Sequence, residues 1–178
     1  MTWNWRTGLL AQARSDYRLF RHLHNLPNPT EQCHRLRYLQ MATEKLAKGL
    51  MSDSKMPPAL SHKAFATFVK QAHKVASVCR ECGFDSDEKG FMRYLQDVIP
   101  IAEAIEDLVP KGVAAPNAEY PWEERRLDES KSIRVTVKVP ADHSWPEWDA
   151  RLPGVAKLME FLEGCFRAVE REMSQEAD

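Results

Sequence analysis

Arginine and histidine at short spacing are the residues of this chain best suited to chemistry. In Arg18-Leu-Phe-Arg-His-Leu-His24 a guanidinium could hold a phosphate while an imidazole exchanges a proton near neutral pH. Together the two tasks suit reactions at a phosphate, where a proton moves and negative charge builds up. On a helix, Arg14, Arg18 and Arg21 recur at steps of four and three and so share a face, with His22 at its edge. His24 continues the apolar seam instead. One reading makes Arg14, Arg18, Arg21 and His22 a grip for RNA or nucleotide phosphates, and leaves Arg18 with His24 as the pair to which catalysis would fall. The other makes the arginines a surface stripe that pairs with acids of the same molecule, such as Glu103, Glu106 and Asp107.

Other reactive residue types are sparser. Cys79-Arg-Glu-Cys82 is a lone CxxC. A structural zinc would need two more ligands, for which only the distant His73 and His34 offer themselves, so no metal and no cofactor is expected. A redox motif belongs at a helix N-terminus, where the dipole lowers the thiol pKa, and this one falls at a C-terminal end. Cys79 therefore reads as core and Cys82 as a helix-end residue. His62 sits in the first turn of the third helical segment, where it caps amides or packs on a neighbour. Tyr120, Trp122, Trp145 and Trp148 either stack bases or pin a long loop to the rest of the fold. Asp142-His143 has no nucleophile beside it, and no Gly-rich phosphate loop, Ser-His-Asp triad or His-Glu-x-x-His metal motif occurs.

Five segments have the helical apolar period that would position these residues. They run over about 8–24, 31–51, 61–83, 87–109 and 154–173. Their seams are Leu10, Ala13, Tyr17 and Phe20; Leu36, Leu39, Leu46 and Leu50; Phe65, Phe68, Ala72, Val75 and Cys79; Leu95, Val98, Ala102, Ile105 and Val109; Val155, Leu158, Leu162, Cys165 and Val169. Pro27 and Pro29 stop the first helix, Thr30 and Ser61 are candidate N-caps, and Pro100 should kink the fourth. Steps of three and four along every seam predict an up-and-down helical bundle. Residues 111–153 differ in kind. Ile133, Val135, Val137 and Val139 alternate with Arg134, Thr136 and Lys138, which predicts a half-buried strand. Its partner is the region around Tyr120-Pro-Trp122 in a local hairpin, favoured because it needs no second chain, or the same strand of another subunit.

Composition fits one soluble domain: 178 residues, 43% hydrophobic and 29% charged, with no apolar run long enough for a membrane span. The N-terminus lacks the pattern of a secretory signal, and four scattered cysteines suit a reducing cytoplasm. Net charge is −1, yet residues 1–50 carry eight Lys/Arg against three acids. That basic third meets either an external anion or the acidic remainder of the chain.

Three stretches resemble the HEPN family of small bacterial helical bundles: Ala13-Arg-Ser-Asp-Tyr17, Arg37-Tyr-Leu-Gln-Met-Ala-Thr-Glu-Lys-Leu-Ala-Lys48 and Ser61-His-Lys-Ala-Phe65. Tyr120-Pro121 is similar to the Tyr-Pro before that family's last helix. The resemblance, best over residues 9–80, implies an all-α bundle of four to five helices, within which residues 111–153 would form the strand-containing insertion before the last helix. It also implies a homodimer and a role in bacterial conflict or toxin–antitoxin systems, binding RNA or a partner protein. Catalytic members cut RNA with an arginine followed four to six residues later by a histidine near the last helix. Here Arg167 and Arg171 have no histidine in that helix, and Arg134 and His143 are separated by eight residues. The usual motif is absent from its usual place. A non-catalytic binding protein is therefore expected first, an RNase assembled from separate helices or a dimer second, and a pure interaction scaffold third.

Overall fold

Asn4 starts the first helix. Its side chain accepts from the Thr7 amide at 2.9 Å while the Thr7 hydroxyl accepts from the Asn4 amide, a reciprocal cap that satisfies two otherwise orphaned donors. The computed structural model describes residues 4–26, 32–52, 63–110, 115–127, 132–145 and 152–175. Within them lie α1 (Trp5–His24), α2 (Gln32–Met51), α3 (Ala64–Gln71), α4 (Ala76–Glu81), α5 (Glu88–Glu106) and α6 (Pro153–Gln175). Two strands, β1 (Trp122–Leu127) and β2 (Ile133–Lys138), precede α6. The caps expected at Thr30 and Ser61, His62, Trp148, Pro27 and Pro29 lie outside the described residues.

The helical expectation holds with one correction. The segment read as one helix over 61–83 is two, because a 3-10 turn at Ala72–Lys74 and extended backbone at Val75 separate α3 from α4. Period alone did not reveal the break, since Phe68, Ala72 and Cys79 stay buried on both sides of it. Gly83 then ends α4 with φ +84, a left-handed value that costs a side chain energy. The Phe84 amide donates to the Cys79 carbonyl and the Gly83 amide to Arg80, which closes a Schellman cap. α5 is continuous across Pro100, so that residue removes an amide donor without ending the helix.

α1 lies along α2, α3 bridges α2 and α5, and α6 closes against α4 and α5. Phe65, Phe68, Phe91, Phe161 and Leu162 fill the centre. Burial of each aromatic ring there contributes about 2 kcal/mol. Close approach of α1 and α2 needs Gly49, where an added Cβ would lie 2.6 Å from Leu10. A second, smaller core joins Cys33 and Leu36 of α2, Leu108 and Val109 beyond α5, and Ala118, Trp122 and Trp145 of the insertion.

The local hairpin is present: β1 and β2 pair antiparallel, with Arg125 opposite Val135 and Leu127 opposite Ile133. Its burial differs from the expectation. Ile133, Val135 and Val137 are 67%, 50% and 67% exposed, so the apolar side of β2 is not half-buried but open to solvent. No described helix covers it, because only the Trp122 end of the hairpin reaches the second core.

Candidate functional site

Three of the four residues read as an anion grip come from one face of α1, and the fourth, His22, flanks it. Arg14, Arg18, Arg21 and His22 line a groove of about 520 Å³ whose far wall is α6. Tyr17 and Phe166 form its floor, stacked with ring centroids 4.7 Å apart. α6 brings carboxylates into the same space. Arg14 pairs with Glu170 at 2.6 Å, Arg21 pairs with Glu163, and farther along Arg6 pairs with Glu172 at 2.6 Å. The Tyr17 hydroxyl donates to Glu163 at 3.0 Å. Burial pushes the Tyr17 phenol well above its ordinary pKa, with Arg21 opposing and Glu163 reinforcing, so the ring remains a proton donor.

The acids that answer the stripe therefore belong to the last helix, not to α5. Glu103 binds Lys70 instead, at 2.7 Å, and Glu106 accepts the Ala66 amide at 3.0 Å inside the bundle. Antiparallel packing explains the change of partner, since α1 runs beside α6 and meets its glutamates in reverse order. Among the described residues, Arg18 and His22 make no ion pair and no hydrogen bond, and both are exposed one helical turn apart. His24 does not line the groove; its ring lies 5.5 Å from that of Phe20. Six residues of helix also set Arg18 and His24 about 9 Å apart along the axis and on different faces. This geometry offers a small anion Arg18 and His22. It does not bring His24 to a phosphate that Arg18 could hold.

The aromatic residues of the insertion act as anchors. Trp122 and Trp145 are buried, and His143 stands edge-on to both at 5.2 and 4.6 Å. The Trp145 indole donates to the Pro140 carbonyl at 2.9 Å, and the Ala118 amide donates to the Leu108 carbonyl at 2.8 Å. Tyr120 alone of the described aromatics here is open to stacking. Beyond this anchor the hairpin has two unlike faces. Trp122, Glu124 and Arg126 lie opposite Lys138, Thr136 and Arg134, with Glu124 held by Arg126 at 2.8 Å and by Lys138 at 3.6 Å. The other face presents Ile133, Val135 and Val137 in a row on β2, with Leu127 opposite Ile133 on β1 and the paired Arg125 and Glu123, 2.9 Å apart, opposite Val135 and Val137.

The CxxC cysteines do not make a reactive pair. Cys79 is buried with its thiol donating to the His73 carbonyl at 3.2 Å, and burial pushes the Cys82 thiol up to about 12. Among the described residues no cluster of three His, Cys, Asp or Glu side chains could hold a metal ion, and no helix is long and apolar enough to cross a membrane.

Sequence reading missed one polar cluster. Lys45 of α2 reaches across to the buried Asp16 of α1 at 2.5 Å, and Gln12 donates to the same carboxylate at 3.0 Å. Gln40 and Lys48 both donate to Glu44, at 2.8 and 2.6 Å. Spacings of four at Gln12/Asp16 and Gln40/Glu44/Lys48 were visible, but no local pattern says that Asp16 faces another helix. Of the Gln-Glu-Lys interior of α2, Lys45 thus ties α2 to α1, while Gln40, Glu44 and Lys48 pair along their own helix. Compared with protein-family models, curated proteins and solved structures, the chain matches none.

Proposed function

We propose that this chain is a non-catalytic, HEPN-like bundle that engages a partner protein through its hairpin, in the conflict or toxin–antitoxin setting that the sequence resemblance implies. The exposed row Leu127, Ile133, Val135 and Val137 carries this reading. Four large apolar side chains contiguous on a projecting two-stranded sheet contribute nothing to the described core, and such patches favour association. The hairpin is held at its base by the second core, so it presents that row from a fixed position. The α1 stripe supports the non-catalytic part, because two of its three arginines are engaged by α6 and His24 stands away from the groove.

The test uses the protein isolated from its own cells beside an Ile133→Thr/Val135→Thr/Val137→Thr variant. Threonine keeps the β-branched shape that a strand favours and removes much of the apolarity. A single partner retained in stoichiometric amount by the native chain and lost by the variant, with the melting temperature held within a few degrees, is the expected result. A partner kept equally by both would defeat the reading.

A second reading has its own observation, Arg18 and His22 at the mouth of the α1–α6 groove, unpaired among the described residues. There the bundle binds an RNA or nucleotide phosphate. Salt-dependent retention of RNA, weakened several-fold by Arg18→Ala alone, would select it over the hairpin.

A further inference from the structure

β2 has a strand on one side only, and among the described residues no third strand pairs with its outer edge. An edge of this kind is a row of backbone donors and acceptors ready to pair with another extended chain. Its side chains say which chain. Arg134 has no ionic partner among the described residues, Lys138 has only Glu124 at 3.6 Å, and β2 itself contains no acid. β1 offers no such bias, because Arg125 and Arg126 are matched by Glu123 and Glu124 and its Trp122 end is buried.

A second copy of β2 fits this edge poorly. Antiparallel pairing about Thr136 would set Arg134 beside Lys138 of the copy at both ends, and parallel pairing would set each cation beside its twin. Like charges directly opposite on a sheet are destabilising. A strand that alternates apolar and acidic residues has the opposite fit. Its apolar side chains extend the row of Ile133, Val135 and Val137, while its carboxylates reach Arg134 and Lys138 on the other face.

We propose that the outer edge of β2 accepts, as a third strand, an extended segment of a partner protein in which apolar and acidic residues alternate. This deepens the reading of the hairpin as a docking surface and rests on it: the apolar row supplies contact area, the backbone edge supplies register, and the two cations supply sign. A three-stranded sheet is also more stable than a hairpin, so the segment orders the element that binds it.

The experiment is a titration of the full isotope-labelled chain with two end-capped seven-residue peptides, one alternating valine with aspartate and one alternating valine with lysine. Backbone resonances and hydrogen exchange of residues 133–138 are followed. The acidic peptide is expected to slow exchange at alternate β2 amides and to bind at least tenfold more tightly than the basic one. Arg134→Glu/Lys138→Glu is expected to reverse that order. Equal affinity for both peptides, or binding that moves the valine methyls while leaving β2 amides unprotected, overturns edge pairing. It leaves hairpin docking standing where the native chain still loses its cellular partner on threonine substitution. Absence of binding by either peptide, together with a partner unaffected by that substitution, removes both.

Discussion

At the level of single residues, charge is used mostly to lock helices together. Asp16 is buried between α1 and α2 with Lys45 and Gln12 as donors, so Asp16→Ala strands an ammonium that is itself largely shielded from water. Breaking a buried pair from one side costs about 3 kcal/mol, which urea unfolding should register. Arg14 and Arg21 are different, because each pair with α6 is nearly half exposed and such bridges contribute about 0–1 kcal/mol. Glu106 offers a pH test. Burial raises its carboxyl pKa despite the Ala66 amide it accepts, so the folded chain holds that proton more tightly than the unfolded chain does. Its contribution is greatest at low pH and is lost as pH rises through the raised value. Glu106→Gln keeps an acceptor for Ala66 and has no charge to bury. The variant should therefore gain on the native protein in thermal stability from about pH 4 upward. A gap that narrows over that range would contradict the burial argument.

Among the elements, the hairpin depends on the second core more than on its own strands. Trp122 is its inner end, in contact with Trp145 and His143. Trp122→Ala should cost about 3–5 kcal/mol where the loss is felt globally, and should expose residues 122–138 to protease before the bundle unfolds. Cleavage no faster than in the native chain would mean that the strands hold themselves. The helices were legible from sequence because each buries one stripe, and Leu95, Val98, Ala102 and Ile105 of α5 all proved buried where the period placed them. The hairpin was legible too, since alternating β-branched residues need a neighbour. What period could not show is which side of a strand meets the core. Alternation is the same whether the apolar face is covered or bare, and here it is bare. The break between α3 and α4 was hidden for a related reason, since an apolar seam survives a single 3-10 turn.

Taken as a whole molecule, the chain divides into a bundle that pairs most of the charges of its first third from within and an appendage that does not cover its own apolar surface. The basic first third of the sequence is answered largely from within, through Arg6, Arg14 and Arg21 on α6 and Lys45 and Lys48 on Asp16 and Glu44. The candidate site was thus half visible in sequence: the arginine face of α1 was read correctly as a face, while its partners required the antiparallel contact with α6. Incubated with total RNA in EDTA, the protein should leave the RNA intact, and Arg18→Ala/His24→Ala should change nothing. Discrete fragments that vanish in that variant would restore the catalytic alternative.

Whether the hairpin is a docking surface is tested most directly by a photo-crosslinking residue placed at Val137 in the protein's own cells, with the same residue at the exposed Met92 of α5 as reference. The account expects one discrete adduct with a second protein from position 137 and none of comparable yield from position 92. Adducts of equal yield and pattern at both positions, or none at 137, would contradict it.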